Sequence, residues 1–557
     1  PEQEAYEFLL TCLHFSLALG AVFGLTAVTA AKSRVNDAAS FAVANFTAVA
    51  VVAVTCLLLY FFGGTASSLN AGYGVRLTDI ARARVGAAML VSLLAFIVLA
   101  GDPEEHSDFA RSFFMTHKAF FIALIYGIVL YAGGAGVAGA VEALLYRDMS
   151  HKVYMYIGTI AGLLAYAIFI GYFPDFSKGS ADPRREAAQK QPRFIEVLLE
   201  FIISPLALAL TAVLLIWSAK TALTGEQVPF MRLSSIAAAF ATVGLWLHIM
   251  VTHGQSGLAG FYRRVFPFAA IIILIFEAGV LFIQIERWGI KTTEYNFIII
   301  WLLTMAAAVL LIFLRQRAHV MIAALTCALA VFSVLPALGY HALPVTVQTH
   351  RLEQLLTAEG MLEHGAIVPA ASEPERPVRE AITDTVNYLS YAQDAKLPPW
   401  FEDRLNEGEV FERTFGFQQT WPNYDPDAPS GDYVGTYLSL PPGVIDVSGY
   451  RWAVSMRGGK EAMPVTIEGE KGTYQVYWGL DRTPDLPSIR IDLDGRTIHE
   501  EDMGAYFDGI LAKYPLGDVS SSQASLEDMS YVIELPEARL LLIFESVNVY
   551  SNTRTGD

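Results

Sequence analysis

The chain has 557 residues, of which 54% are hydrophobic and 17% charged, a composition that excludes an ordinary soluble protein and reads as a membrane protein. Residues 1–340 carry 22 Lys and Arg against 20 Asp and Glu, whereas residues 341–557 carry 16 against 35, so nearly all of the net charge of −17 belongs to the C-terminal part. An acidic region of this kind argues against nucleic acid as a partner and against docking on anionic lipid by charge alone.

Apolar stretches of about 17 to 25 residues can cross roughly 30 Å of hydrocarbon as helices. Ten such stretches run in chain order over 6–30, 41–63, 85–101, 117–141, 153–173, 194–218, 233–252, 266–286, 297–314 and 319–340. Before the third, VRLTDIARARV is amphipathic and is expected to lie in the interface. In the fourth, Ala132, Gly136 and Ala140 recur every four residues, as a close helix–helix contact requires. Lys and Arg in the segments 32–34, 178–193, 262–264 and 315–317 place those loops together on the cytoplasmic side, with the C-terminal domain outside.

After residue 340 the hydropathy drops for good. Residues 347–363 and 376–394 have helical periodicity separated by PERP. From about 432, alternating runs such as TYQVYWGL, SIRIDL and ARLLLIFESVNVY are bounded by Gly, Pro and Asp turns, with one helix at EEDMGAYFDGILAKY. The predicted fold is an α-helical polytopic membrane bundle of about ten spans over 1–340. It is followed by a soluble, acidic, extracytoplasmic α+β domain over 341–557, large enough for its own core.

Ionisable side chains inside spans are costly, so their positions carry information. Glu277 and Gln284 lie seven residues apart on one face of the eighth span, facing the bundle. In the sixth span Glu196, Glu200, Ser204 and Thr211 form a stripe beside Pro205, and the seventh offers His248 below Gly244. Glu200, Glu277, Gln284 and His248 are therefore the candidate intramembrane polar site, read either as a proton or substrate path or as interhelical packing bonds.

Reaction motifs are scarce: HExxH, Walker, GxSxG and CxxC patterns are absent, so no catalytic, cofactor or metal residues are assigned. Cys12, Cys56 and Cys327 all lie in apolar segments. The acidic stretches DPEEHSD (102–108) and NYDPDAPSGD (423–432, with Asp425, Asp427 and Asp432) read as solvated turns. Trp421, Tyr450, Trp452, Tyr474, Tyr477 and Trp478 could form a carbohydrate or peptide platform, although alternate aromatics on strands are usually core.

The runs SPLALALTAVLLIWSAKTALTGEQVP, YRRVFPFAAIIILIFEAGVLFIQIERWGIKTTEYNF and VTVQTHRLEQLLTAEGMLEHGAIVP resemble the bacterial membrane proteins grouped as domain-of-unknown-function family 4153. Matching positions are Pro205, Leu206, Pro229, Trp288, Gly289, Tyr295, Gln348, Arg351 and Leu352. Trp288 and Ile290 replace the usual Tyr and Leu, Lys291 stands for Thr, and Glu294 stands for Arg. The resemblance implies a bacterial multi-pass inner-membrane protein of unassigned activity, with WGIKTTEY a boundary turn anchored by Trp288 and Tyr295. Three functions are weighed: a non-catalytic envelope anchor, scaffold or sensor whose C-terminal domain binds a partner; a proton-coupled transporter of a small or lipid-like solute; and a membrane enzyme acting on a lipid-linked substrate. Membrane lipids and an envelope protein are the expected partners.

Overall fold

The computed structural model describes residues 2–65, 75–101, 108–147, 149–177, 183–225, 229–392, 397–402, 404–421, 433–441, 443–456, 464–480, 487–514 and 521–552. The turn 423–432, most of 102–108 and residues 178–182 of the basic loop lie outside the described residues. The chain divides into two compact units, Pro1–Trp421 and Pro422–Asp557. Hydropathy changes at 340, but the next eighty residues pack with the helices that precede them.

In the first unit, helices α1 (Glu2–Arg34), α2 (Ala38–Phe62), α3 (Asp79–Ala100), α4 (Phe109–Leu144) and α5 (Lys152–Gly171) are followed by the short α6 (Pro183–Gln189) and α7 (Arg193–Val197). A π-helical turn, Leu198–Ile203, then leads into α8 (Ser204–Thr224), α9 (Phe230–Met250), α10 (Gly257–Trp288), α11 (Thr292–Leu314) and α12 (Ala318–Ser333). Side-chain oxygens of Asp37, Thr78, Asp108 and Ser256 accept from first-turn amides and so fix four helix starts.

Among the described residues, nine continuous helical runs are long and apolar enough to cross a membrane, which is compatible with a multi-pass membrane protein. Ten stretches reduce to nine runs because Thr292–Ser333 is unbroken helix apart from a 3₁₀ turn at Arg315–Arg317. Arg315 has φ 51° there, α11 and α12 pack on each other, and Ala307 and Leu311 share a cluster with Ala318 and Ile322, so the run folds back as a hairpin. The amphipathic stretch before the third span is not a separate interfacial segment. Thr78 caps at Asp79, and the helix runs from there through Ala100.

Alternate helix ends are tied at the same end of the bundle, as the hydropathy reading requires. At one end Lys32 meets Asp175 (3.2 Å), Arg185 donates to the Ala100 carbonyl (2.9 Å) and His253 holds Asp108 (2.8 Å). At the other end Arg84 donates to Val334 O (3.3 Å) and Tyr295 to Leu338 O (2.8 Å). The core lies between α3, α4, α9 and α10, around Phe96, Phe114, Leu247, Tyr262, Phe266 and Ile273. On α2, α4 and α5 the large apolar side chains Phe46, Phe62, Val129 and Leu163 are exposed, as hydrocarbon-facing positions would be.

The close helix contact of α4 is real but uses another face. A Cβ on Gly127 or Gly134 would meet Ala165 or Ile157 of α5 at under 3.0 Å, whereas Gly136 has open space and Ala132 and Ala140 are exposed. Gly134 and Gly136 are about 200° apart on a helix, so only one of them can face α5.

Still within this unit, α13 (Leu343–Ala358), a small hairpin of β3 (Leu362–Glu363) and β4 (Ala366–Ile367), α14 (Arg376–Ser390) and α15 (Gly408–Phe415) enclose Leu352, Leu356, Ile382, Phe411 and Phe415. An earlier hairpin, β1 (Gly64–Thr65) with β2 (Arg76–Leu77), precedes α3.

The second unit is α+β. Strands β6 (Val465–Gly469), β7 (Gly472–Leu480), β8 (Pro487–Leu493) and β9 (Arg496–Asp502) form an antiparallel meander. Its last turn, Asp494-Gly495, has positive φ at both residues, as a two-residue type I′ hairpin requires. Strand β5 (Tyr433–Ser439) lies between β10 (Ser521–Gln523, parallel) and β13 (Ser546–Asn552, antiparallel), and β11 (Ser530–Glu534) pairs with β12 (Arg539–Ile543). Tyr474 and Trp478 are half-buried and pack against the core of Val476, Ile491 and Ile533. Tyr477, on the opposite face of β7, stacks under Arg490 (4.1 Å). Trp421 and Trp452 remain exposed.

Asp528 ties helix α16 (Gly504–Lys513) to the turn before β11, accepting from Lys513 Nζ (2.7 Å), Ser525 Oγ (2.8 Å) and Tyr514 Oη (2.9 Å). These donors, Lys513 foremost, hold its carboxyl down to about 2. The folded value is depressed, so the stabilisation is present above the unfolded value of about 4 and is lost as pH falls through about 2. In the full chain, amide exchange of 504–514 should therefore accelerate as the pH is lowered across that window. Asp528→Asn should abolish the acid dependence, and an unchanged profile would show that Asp528 does not set it.

Candidate functional site

Glu200 sits inside the π-helical turn, 1% exposed, so the expected Glu196–Glu200–Ser204 α-helical ladder does not form. Pro205 has no amide hydrogen to continue the α pattern, and Ser204 Oγ instead donates to Leu199 O (2.7 Å) across the widened turn. Glu200 Oε2 accepts from the amide of Ser256 (3.0 Å) at the start of α10, and Gly254 lies so close that a Cβ there would be 2.4 Å from Oε1. A carboxylate on a helix N-terminus satisfies an orphan amide and complements the helix dipole. Glu200 is thus a cap for α10.

Arg263, one turn into α10, completes this arrangement. Its Nη1 donates to the carbonyls of Val251 (2.5 Å), Thr252 (2.6 Å) and Gly254 (3.0 Å), which end α9. His253, in the same loop, binds both oxygens of Asp108 (3.0 and 2.8 Å), whose Oδ1 also caps α4 through the Arg111 amide (2.9 Å). The loop 251–256 therefore clamps α4, the π turn, α9 and α10 with one acid, one guanidinium and one His–Asp pair.

His248 is buried (7% exposed), and Nε2 lies 3.3 Å from the carbonyl of Arg263. Pro267 removes the amide that would have met this carbonyl in the α10 ladder, and because a carbonyl only accepts, Nε2 carries the hydrogen. Beside it stands His319 of α12, with ring centroids 6.1 Å apart.

Glu277 and Gln284 do not act together. Gln284 Nε2 donates to Glu294 Oε1 (3.0 Å), and Glu294 Oε2 accepts from the Lys291 amide (3.1 Å), closing the turn between α10 and α11. Glu277 is 2% exposed, and among the described residues its Oε1 has no hydrogen-bond partner. The four candidate residues thus have three separate roles, and only Glu200 and His248 belong to one cluster, joined through Arg263.

Most of the positions that carry the sequence resemblance meet at the opposite end of α10. Gly289 has φ 71° and ψ −175°, and Gln348 Nε2 of α13 reaches over it to Trp288 O (2.7 Å) and Ile290 O (3.3 Å). Arg351 donates to Arg287 O (2.5 Å), Lys291 pairs with Asp384 of α14 (2.5 Å) and Thr292 bonds Tyr388 (2.9 Å). Trp288 lies under Arg287 (5.1 Å) and Lys291 (5.9 Å). Tyr295 is 3% exposed, a bundle residue in place of the expected interfacial anchor. Pro205 and Pro229 stand apart as helix-start residues of α8 and α9.

Among the described residues no group of three His, Cys, Asp or Glu could hold a metal ion, and the three cysteines are free thiols. Comparison with protein-family models, curated proteins and solved structures finds no match.

Proposed function

We propose that the chain is an integral cell-envelope protein of a bacterial inner membrane that uses its bundle as an anchor and its acidic C-terminal part, outside the cytoplasm, to engage an envelope partner. The observation that carries this reading is the joint of α13 and α14 on the α10–α11 turn. Five polar contacts, through Gln348, Arg351, Lys291 and Thr292, fasten the polar segment 343–421 to the spans. An anchor that holds a partner against load needs this rigidity, whereas a tethered soluble domain does not. The exposed apolar residues Val444, Val447, Trp452 and Val454 of the second unit offer a contact surface for such a partner.

A photoreactive residue at position 452 or 454 of the intact chain in native membranes should cross-link to one protein species, and the absence of any cross-linked protein would overturn the reading. Glu277→Gln should leave the cross-link unchanged. The second reading, proton-coupled transport of a small or lipid-like solute, is favoured by the unpartnered Glu277 Oε1. Loss of function in Glu277→Gln, with the protein folded and abundant, would replace the anchor by the transporter.

A further inference from the structure

A cavity of ≈ 870 Å³ opens where the α9–α10 and α11–α12 connections meet. Arg263, Arg264, Arg315 and Arg317 line it together with Gln316, Thr252, His248 and His319, and no Asp or Glu contributes to the lining. Two basic runs far apart in sequence, YRR and RQR, thus face one space. Glu200 holds the Ser256 amide and offsets the charge of Arg263, and Asp108 holds His253 and the Arg111 amide, which leaves Arg264, Arg315 and Arg317 without an acid in the lining. Arg264, Arg315 and Arg317 are exposed and form no ion pair among the described residues. Behind them His248 Nδ1 and His319 Nε2 are buried and, among the described residues, have no hydrogen-bond partner. The three exposed guanidinium groups of Arg264, Arg315 and Arg317, around one space whose lining holds no acid, lack a counter-anion. Clustered arginines at helix ends also follow from membrane topology alone, but topology does not require two separate connections to bring their arginines onto one cavity with no acid in its lining.

The other wall of the cavity is apolar: Pro267, Phe268 and Leu311 to Leu314, with Phe268 55% and Phe313 79% exposed. We propose that this cavity binds a phosphate-bearing ligand, and that the apolar wall selects a phospholipid with its phosphate among Arg264, Arg315 and Arg317 and its acyl chains along Phe268 and Phe313. Planar guanidinium groups match phosphate oxygens in pairs, and the water-poor boundary strengthens each contact. This site is independent of the anchor reading, which rests on the opposite end of α10.

The test is native mass spectrometry of the full chain released from nanodiscs that contain phosphatidic acid, phosphatidylcholine or both. The unaltered protein should retain phosphatidic acid with at least ~10-fold preference, and Arg264→Gln/Arg317→Gln should lose that preference with an unchanged melting temperature. Inorganic phosphate serves as the second probe. If it stabilises the protein and no lipid is retained, the phosphate chemistry stands and its source is a soluble anion. Equal retention of the two lipids by the unaltered protein, with no effect of phosphate, would overturn the proposal. Should the double variant fail to fold, the unaltered protein still decides, because retention of phosphatidic acid must fall as salt rises from about 0.05 to about 0.5 M.

Discussion

Arg263→Ala should destabilise the bundle more than the loss of any other single polar side chain at that end. One guanidinium nitrogen serves three carbonyls at the end of α9. Charge-assisted bonds of this kind contribute about 1.5 to 3 kcal/mol each and are not additive when they share a donor, so a loss of about 3 kcal/mol is expected. Arg263→Lys should recover part of it, since an ammonium keeps the charge but lacks the planar fork. Glu200→Gln should cost about 1 kcal/mol, because the amide oxygen can still accept from Ser256 while the charge on the helix start is gone. Unfolding in mixed micelles measures all three, and the double variant of Arg263 and Glu200 reports how far the two residues act through each other. A melting transition of Arg263→Ala that coincides with that of the unaltered protein would show that the loop 251–256 holds its shape without the guanidinium.

The parts of this architecture that the sequence discloses are those governed by segment length and solvent preference. Nine of the ten apolar stretches lie on separate helical runs, because a 20-residue apolar run has few other solutions. The tenth shares the run of the ninth, because three polar residues, Arg315 to Arg317, suffice for a turn without a break in hydrogen bonding. Local polarity misplaces the start of α3: ARAR at 81–84 looks interfacial, yet Arg84 finds the Val334 carbonyl on a distant segment. Glu200 and His248 stand out in the sequence as polar residues in apolar surroundings, but their partners do not. Glu200 meets a backbone amide 56 residues away, Asp108 a histidine 145 away and Lys291 an aspartate 93 away. No periodicity links such pairs, since they follow from which loops share an end of the bundle. The π turn is equally hidden, and Pro205 is its only local sign. From the sequence, the arginines at 263, 264, 315 and 317 are expected to share one end of the bundle, whereas their convergence on one cavity depends on the hairpin at Arg315.

Gly289→Ala should release α13 from the bundle. At φ 71° and ψ −175° the backbone occupies a region that is essentially restricted to glycine, and a side chain there costs about 1 to 3 kcal/mol. A Cβ would also stand 2.8 Å from Gln348 Nε2, the atom that bridges the Trp288 and Ile290 carbonyls. Strain and collision therefore act on the same contact, and the turn can relieve both by letting α13 move away. Amide exchange over 343–358 should accelerate at least ~10-fold, as expected for a loss of more than about 1.4 kcal/mol of local stability. Gln348→Ala separates the two causes, because it removes the bridge and leaves the turn unstrained, and its effect should be the smaller. If exchange of α13 is unchanged in Gly289→Ala, the segment is held by Arg351–Arg287, Lys291–Asp384 and Thr292–Tyr388, and Arg351→Ala and Lys291→Ala become the substitutions that free it. Either result identifies which contacts hold the polar segment to the helices that precede it.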